Sequence, residues 1–240
     1  MLLAIDVGNT NIVFGVFKGK TLVKTWRVGT GDWGSGIRGK DKIADVIISS
    51  VVPRVNIPLK KAIEKKFKVK PAFIKYKDID LKINLKKKAQ VGADRLVNAF
   101  AARELYGKPV IIVDFGTATT FCAVNNKGEY LGGAIAPGVS LSAGALHTGT
   151  AKLPEIKVEY TKKAIGRDTV SAMQSGLYYG YVALVEGMIK RVKKEVGGTP
   201  IVVATGGFSE ILKKHTKIFD VVDKNLTLKG LRMIWEGLNV

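Results

Sequence analysis

Val110-Ile111-Ile112-Val113-Asp114-Phe115-Gly116-Thr117-Ala118-Thr119-Thr120-Phe121-Cys122-Ala123-Val124 reads as an apolar strand, a tight turn and a second apolar strand. The apolar run Val110 to Val113 delivers a carboxylate at Asp114. Gly116 lets the backbone turn or approach a ligand closely, and Thr117, Thr119 and Thr120 add hydroxyls. Such a turn offers backbone N–H groups to an anion and a carboxylate to a cation. A metal–nucleotide complex makes both demands.

The pattern recurs at the other end of the chain. Leu2-Leu3-Ala4-Ile5-Asp6-Val7-Gly8-Asn9-Thr10-Asn11-Ile12-Val13-Phe14-Gly15-Val16-Phe17 is again strand, Asp-x-Gly turn, strand. One Asp-x-Gly hairpin is ordinary turn chemistry. Two matched copies imply a repeated supersecondary unit, with two carboxylate-bearing turns facing a shared cleft.

Composition narrows the classes. A chain of 240 residues, 46% hydrophobic, can bury a substantial core as one large domain or two small ones. No apolar run approaches the ~20 residues that cross a bilayer, and the N-terminus enters a strand without a secretory pattern, so a cytoplasmic protein is expected. Cys122 is the single cysteine and reads as a small core residue, while His147 and His215 are isolated and form no zinc spacing. The net charge of +19 would attract polyanions. The basic run from Lys60 to Lys88 alternates with Leu59, Ile63 and Phe67 and has few stacking aromatics. A solvated helix face is therefore the simpler reading than nucleic-acid binding.

Along the chain, a third strand is expected from Thr21 to Gly29, then a glycine-dense loop to Gly39. Its Gly34-x-Gly36-x-x-Gly39 is no dinucleotide fingerprint, because a loop precedes it and a buried-type strand, Asp45 to Val52, follows. The sequence predicts a helix from Val55 to Phe67, a short strand from Pro71 to Tyr76, and a helix from Gln90 to Tyr106. Asp94 and Arg95 fall in the first turn of that last helix, where its dipole favours an ionised carboxylate. The second half adds a strand from Glu129 to Ala136 and a helix from Val139 to Leu146. Thr169 is read as the N-cap of a long helix, Val170 to Val196. Pro200 to Gly207 is a strand ending in a double glycine before another helix.

Asp6-Val7-Gly8-Asn9-Thr10-Asn11 and Asp114 to Thr120 resemble the phosphate hairpins of the acetate and sugar kinase, heat-shock chaperone and actin superfamily. Gly92-Ala93-Asp94-Arg95, Gly132 to Gly138 and Gly149 to Pro154 narrow the resemblance to type III pantothenate kinases, over about residues 1 to 235. It implies an α/β fold of two similar actin-like (ribonuclease H-like) halves, residues 1–107 and 108–240, around a nucleotide cleft. Each half would be a mixed sheet with flanking helices. The departures are a Gly29–Gly39 connection too short for the family's usual helix, and Lys87-Lys88 where an Asn-Pro step is common.

The resemblance also implies roles. ATP would lie against Asp6, Val7, Gly8, Asn9, Thr10, Asn11, Ile12, Val13 and Thr117, with Mg²⁺ on Asp6 and a monovalent cation, K⁺ or NH₄⁺, on Asp114. Pantothenate would meet Gly92, Ala93, Asp94 and Arg95, with Asp94 as proton acceptor and Arg95 suited to the substrate carboxylate. Members of the family are homodimers in which the threonine matching Thr169 enters the neighbour's pocket. Met173, Leu177, Tyr178, Tyr181, Leu184 and Met188 offer an apolar supply on the same helix. Two other classes stay open: a non-catalytic nucleotide-binding regulator of the same fold, and a nucleic-acid-binding protein suggested by charge alone.

Overall fold

The structure is a computed structural model and describes residues 1–38 and 42–238. The chain divides into two compact units, one of Met1–Leu105 with the stretch from Asn225 onward, the other of Tyr106–Lys224.

In the first unit, β1 (Leu2–Val7), β2 (Asn11–Lys18), β3 (Thr21–Gly29), β4 (Asp45–Ser50) and β5 (Ala72–Phe73) form one sheet in the order β3-β2-β1-β4-β5. The β1–β2 and β2–β3 pairs are antiparallel, and β1–β4 and β4–β5 are parallel. Side chains alternate across the sheet. Leu3, Ile5 and Val7 therefore share a core with Ile12, Phe14, Val16, Val46 and Ile48. Helix α1 (Pro53–Phe67) covers this face with Val55, Leu59 and Ile63, whose spacing of four puts them on one stripe.

Lys61, Lys65 and Lys66 are exposed on the rest of α1, as a solvated face requires. Burying each core Leu or Ile is worth about 1.5–3 kcal/mol. The exposed Lys60–Glu64 pair, 3.9 Å apart, adds at most about 0.5 kcal/mol. Packing holds this helix.

The glycine loop forms a short 3₁₀ segment, Thr30–Gly36, in place of a covering helix. Its Trp33 and the following Ile37 pack on the core, and Trp26 Nε1 donates to Gly36 O at 3.0 Å while its ring stacks on Phe14. The edge of the core is thus covered despite the short connection. Gly39 lies outside the described residues.

Helix α2 (Ala93–Tyr106) buries Leu96, Val97 and Ala99. Near the C-terminus, a helix spanning Leu226–Leu238 buries Leu226, Leu228, Leu231 and Ile234 and packs on β1, β2 and β4. Thr227 Oγ1 donates to Asn98 Oδ1 of α2 at 2.8 Å. This helix belongs with the first unit, whereas the sequence division kept it with residues 108 onward.

The second unit repeats the plan. Strands β6 (Val110–Phe115), β7 (Ala118–Val124), β8 (Tyr130–Pro137), β9 (Ile201–Gly206) and β10 (Val221–Val222) run in the order β10-β9-β6-β7-β8. Its antiparallel and parallel pairings match those of the first unit strand for strand. Ile111, Val113, Phe121 and Val202 form the core with Tyr178, Val185 and Ile189 of α4 (Thr169–Val196). Helix α3 (Val139–Thr148) follows β8, and α5 (Ser209–Lys213) follows β9. Met173, Leu177, Tyr178 and Tyr181 are buried within this chain, so most of the apolar supply offered for an interface serves its own core. Among the described residues, no helix is long and apolar enough to cross a membrane.

Candidate active site

Asp6 stands next to the end of β1, in register with Val13 of β2 and Ser49 of β4. Alternation places Asp6 and Ser49 on the sheet face opposite Ile5 and Ile48. The Ser49 hydroxyl is fully enclosed and has no hydrogen-bond partner, so a polar group beside Asp6 would satisfy it. The turn beyond is closed by Gly8 N–H donating to Asn11 O at 3.0 Å, with Asn9 and Thr10 exposed at its tip. Val7 and Ile12 are core side chains, so only their backbone is available to a ligand. Among the described residues, no three or more His, Cys, Asp or Glu side chains cluster as a metal site. A Mg²⁺ ion shared with nucleotide phosphates needs only one or two protein carboxylates, so Asp6 with this turn fits a magnesium–nucleotide complex.

Asp114 occupies the equivalent place in the second unit, in register with Thr120 and Thr205. The double-glycine turn lies directly against it. Gly206 has φ +87°, and a Cβ there would fall 2.6 Å from Phe115 O and 2.7 Å from Asp114 Oδ1. Thr117 is exposed at the hairpin tip, but Thr119 is fully buried and its hydroxyl is turned inward without a partner.

Gly92 precedes α2 directly, and Asp94 lies in its first turn. The Asp94 carboxylate folds back, its Oδ1 accepting from Arg95 N–H at 2.8 Å. A Cβ on Gly92 would fall 2.4 Å from that same oxygen, so the glycine makes room for the carboxylate. Burial pushes the Asp94 carboxyl above its ordinary value, against the lowering pull of the Arg95 N–H and guanidinium charge. Desolvation thus works against the ionised form that the start of the helix favours.

Beside this motif is a cavity of about 510 Å³ lined by Ser50, Val51, Lys75, Tyr76, Lys77 and the run Ala89 to Ala93. Sequence reading missed Lys75, Tyr76 and Lys77, which lie in an unremarkable strand-and-turn segment. The Lys87-Lys88 connector enters the motif through a 3₁₀ turn, Lys88–Gln90.

The cap of α4 is Asp168, not Thr169. Asp168 Oδ1 accepts from Ser171 N–H at 2.8 Å, and Ser171 Oγ reaches back toward the Asp168 backbone. Thr169 is the first helical residue and is exposed, with Val170 at 42% and Ile165 at 83% exposure near it.

Two units with one strand order, each carrying an Asp-x-Gly turn after its central strand, define the actin-like kinase and ATPase fold. A Baf family transcriptional activator homologue from Campylobacter jejuni superposes with TM-score 0.66 at 20% identity, over 99% of this chain and 100% of that one. The activator of 2-hydroxyisocaproyl-CoA dehydratase from Clostridium difficile, solved with bound ADPNP, gives TM-score 0.52 at 14% identity over 99% and 97%. The chain belongs to the type III pantothenate kinases, whose family profile matches residues 2–191. The type III pantothenate kinase of Brevibacillus brevis is 45% identical over 252 aligned positions, which span 98% of each chain.

Proposed function

We propose that the chain transfers the γ-phosphoryl group of ATP to the primary hydroxyl of pantothenate, giving 4′-phosphopantothenate and ADP, the first step of coenzyme A biosynthesis. The observation that carries this reading is the Gly92-Ala93-Asp94-Arg95 motif, whose Gly92 and Ala93 line a cavity of about 510 Å³, with the proton affinity of Asp94 raised by burial. A hydroxyl bound there gives its proton to Asp94 as it attacks. Arg95 would pair with the substrate carboxylate, and Lys75 and Lys77 add positive charge along the cavity. Gly8 to Asn11 would hold phosphate largely through backbone groups and hydroxyls, and Thr117 is assigned to ATP from the second hairpin. Mg²⁺ held at Asp6, directly or through water, would neutralise phosphate charge.

In the test, ADP release is followed with pantothenate, ATP, Mg²⁺ and K⁺ over a range of temperatures. Pantothenate-dependent ADP formation is expected, and its absence across several nucleotides would refute the assignment. The regulator reading is disfavoured by the presence of Asp6, Asp94 and Asp114 together. The nucleic-acid reading is disfavoured by the scarcity of stacking aromatics in the basic run from Lys60 to Lys88.

We also assign Asp114 to a monovalent cation, K⁺ or NH₄⁺. Its carboxylate lies against the Gly206 turn, where a fixed negative charge beside phosphate favours a bound cation. Asp114→Asn is expected to weaken K⁺ activation and raise the ATP KM. A parent enzyme indifferent to K⁺ and NH₄⁺ would remove the assignment. The protein works as a cytoplasmic homodimer in this reading, supported by exposed Thr169 between exposed Ile165 and Val170 rather than by the buried face of α4.

A further inference from the structure

Thr30 directly follows β3 and is almost fully enclosed, at 3% exposure. Its N–H donates to Thr10 O at 3.0 Å, and its hydroxyl donates to Gly8 O at 2.7 Å. Both carbonyls belong to the first hairpin turn.

The second unit supplies an internal comparison. Gly8 N–H donates to Asn11 O at 3.0 Å, and Gly116 N–H donates to Ala118 O at 3.1 Å. Gly138, the residue after β8, donates its N–H to Thr117 O at 3.0 Å, as Thr30 does to Thr10 O. Thr30 and Gly138 therefore occupy the same place in the repeat. No side chain fits at Gly138, because a Cβ would fall 2.2 Å from Thr117 O and 2.6 Å from Gly116 O. The first turn is longer: four residues separate the paired Val7 and Ile12, against three between Phe115 and Thr119. Thr30 thus carries a side chain at the place where Gly138 can carry none.

A trans peptide is a rigid plate whose C=O and N–H point in opposite directions. Holding Gly8 O therefore fixes the aim of Asn9 N–H, and holding Thr10 O fixes that of Asn11 N–H. We propose that Thr30 is a positioning residue that pre-aims the backbone amides of the first turn at nucleotide phosphate. The proposal rests on the reading of residues 8–11 as phosphate-binding. The short glycine loop then has a role of its own, because its first residue clasps the turn.

Thr30→Val keeps the shape and removes the hydroxyl, while Thr30→Ser keeps the hydroxyl. Calorimetry on the full chain measures ADP and adenosine affinity, and steady-state kinetics measures KM for ATP and for pantothenate. Thr30→Val is expected to weaken ADP binding and raise the ATP KM about tenfold, the scale of one lost hydrogen bond. Adenosine affinity and pantothenate KM stay at parental values, and Thr30→Ser restores ADP binding. Thr30→Cys, a weaker donor of similar size, reads the same split should Thr30→Val fail to fold. ADP affinity unchanged by loss of the hydroxyl, or ADP and adenosine weakened in parallel, would overturn the proposal. A parent chain that binds adenosine as tightly as ADP would instead strike the phosphate reading of the turn itself, and the Thr30 proposal with it.

Discussion

Asp94→Asn is expected to lower turnover about 10²- to 10⁴-fold, the range for loss of a general base, while raising thermal stability at neutral pH. Asparagine keeps the size of the side chain and can still accept from Arg95 N–H, so local geometry is retained. It cannot take a proton from the attacking hydroxyl. The stability gain follows from the direction of the pKa shift, which burial drives upward. A carboxyl with a higher pKa folded than unfolded binds protons more readily in the folded state. Its stabilising contribution is present below the unfolded pKa and is lost as pH rises through the folded value. Above that window the parent chain bears a desolvated charge that the variant lacks. The melting temperature of Asp94→Asn should therefore exceed the parent's at pH 7, and the gap should close toward the ordinary value of 3.8. By the same reasoning, the acid limb of kcat/KM in the parent lies above that value. Paired melting curves and pH–rate profiles check both halves. Retained turnover would remove Asp94 from its role, and a variant less stable than the parent at pH 7 would contradict the desolvation account.

The hairpins that define the fold were legible because their physics is local. Apolar runs on either side of an Asp-x-Gly turn specify β1–β2 and β6–β7 within a few positions, and the repeat doubled that signal. The regular helices were legible for a similar reason, since Val55, Leu59 and Ile63 declare a buried stripe at fixed spacing. What stayed hidden depends on contacts distant in sequence. Thr30 acts on Gly8, 22 positions earlier, and nothing beside it announces that bond. The terminal helix takes its place from β1, at the opposite end of the chain. The raised proton affinity of Asp94 comes from burial, which only the folded chain determines. At the start of α4, Asp168 and Thr169 are both good caps. The choice falls to Asp168 because Ser171 completes a reciprocal box three residues on.

That choice bears on the second prediction. A threonine acting as the cap would have its hydroxyl committed to its own helix, whereas exposed Thr169 leaves that work to Asp168. In the proposed dimer Thr169 would enter the acceptor pocket of a neighbouring copy, with exposed Ile165 and Val170 offering apolar surface near it in sequence. In a closed two-fold pair each site would combine Asp94 of one chain with Thr169 of the other. Asp94→Asn and Thr169→Ala chains are each expected to be weakly active alone. Unfolded together in equal amounts and refolded, they pair at random, so about half the dimers are mixed. In each mixed dimer one site carries both lesions and the other carries neither. About a quarter of parental activity should therefore return, far above the sum of the two separate preparations. Sedimentation of the parent should report a dimer over the same concentrations. Activity that stays at the level of the separate variants would mean that Asp94 and Thr169 serve a site within one chain, or that Thr169 serves none.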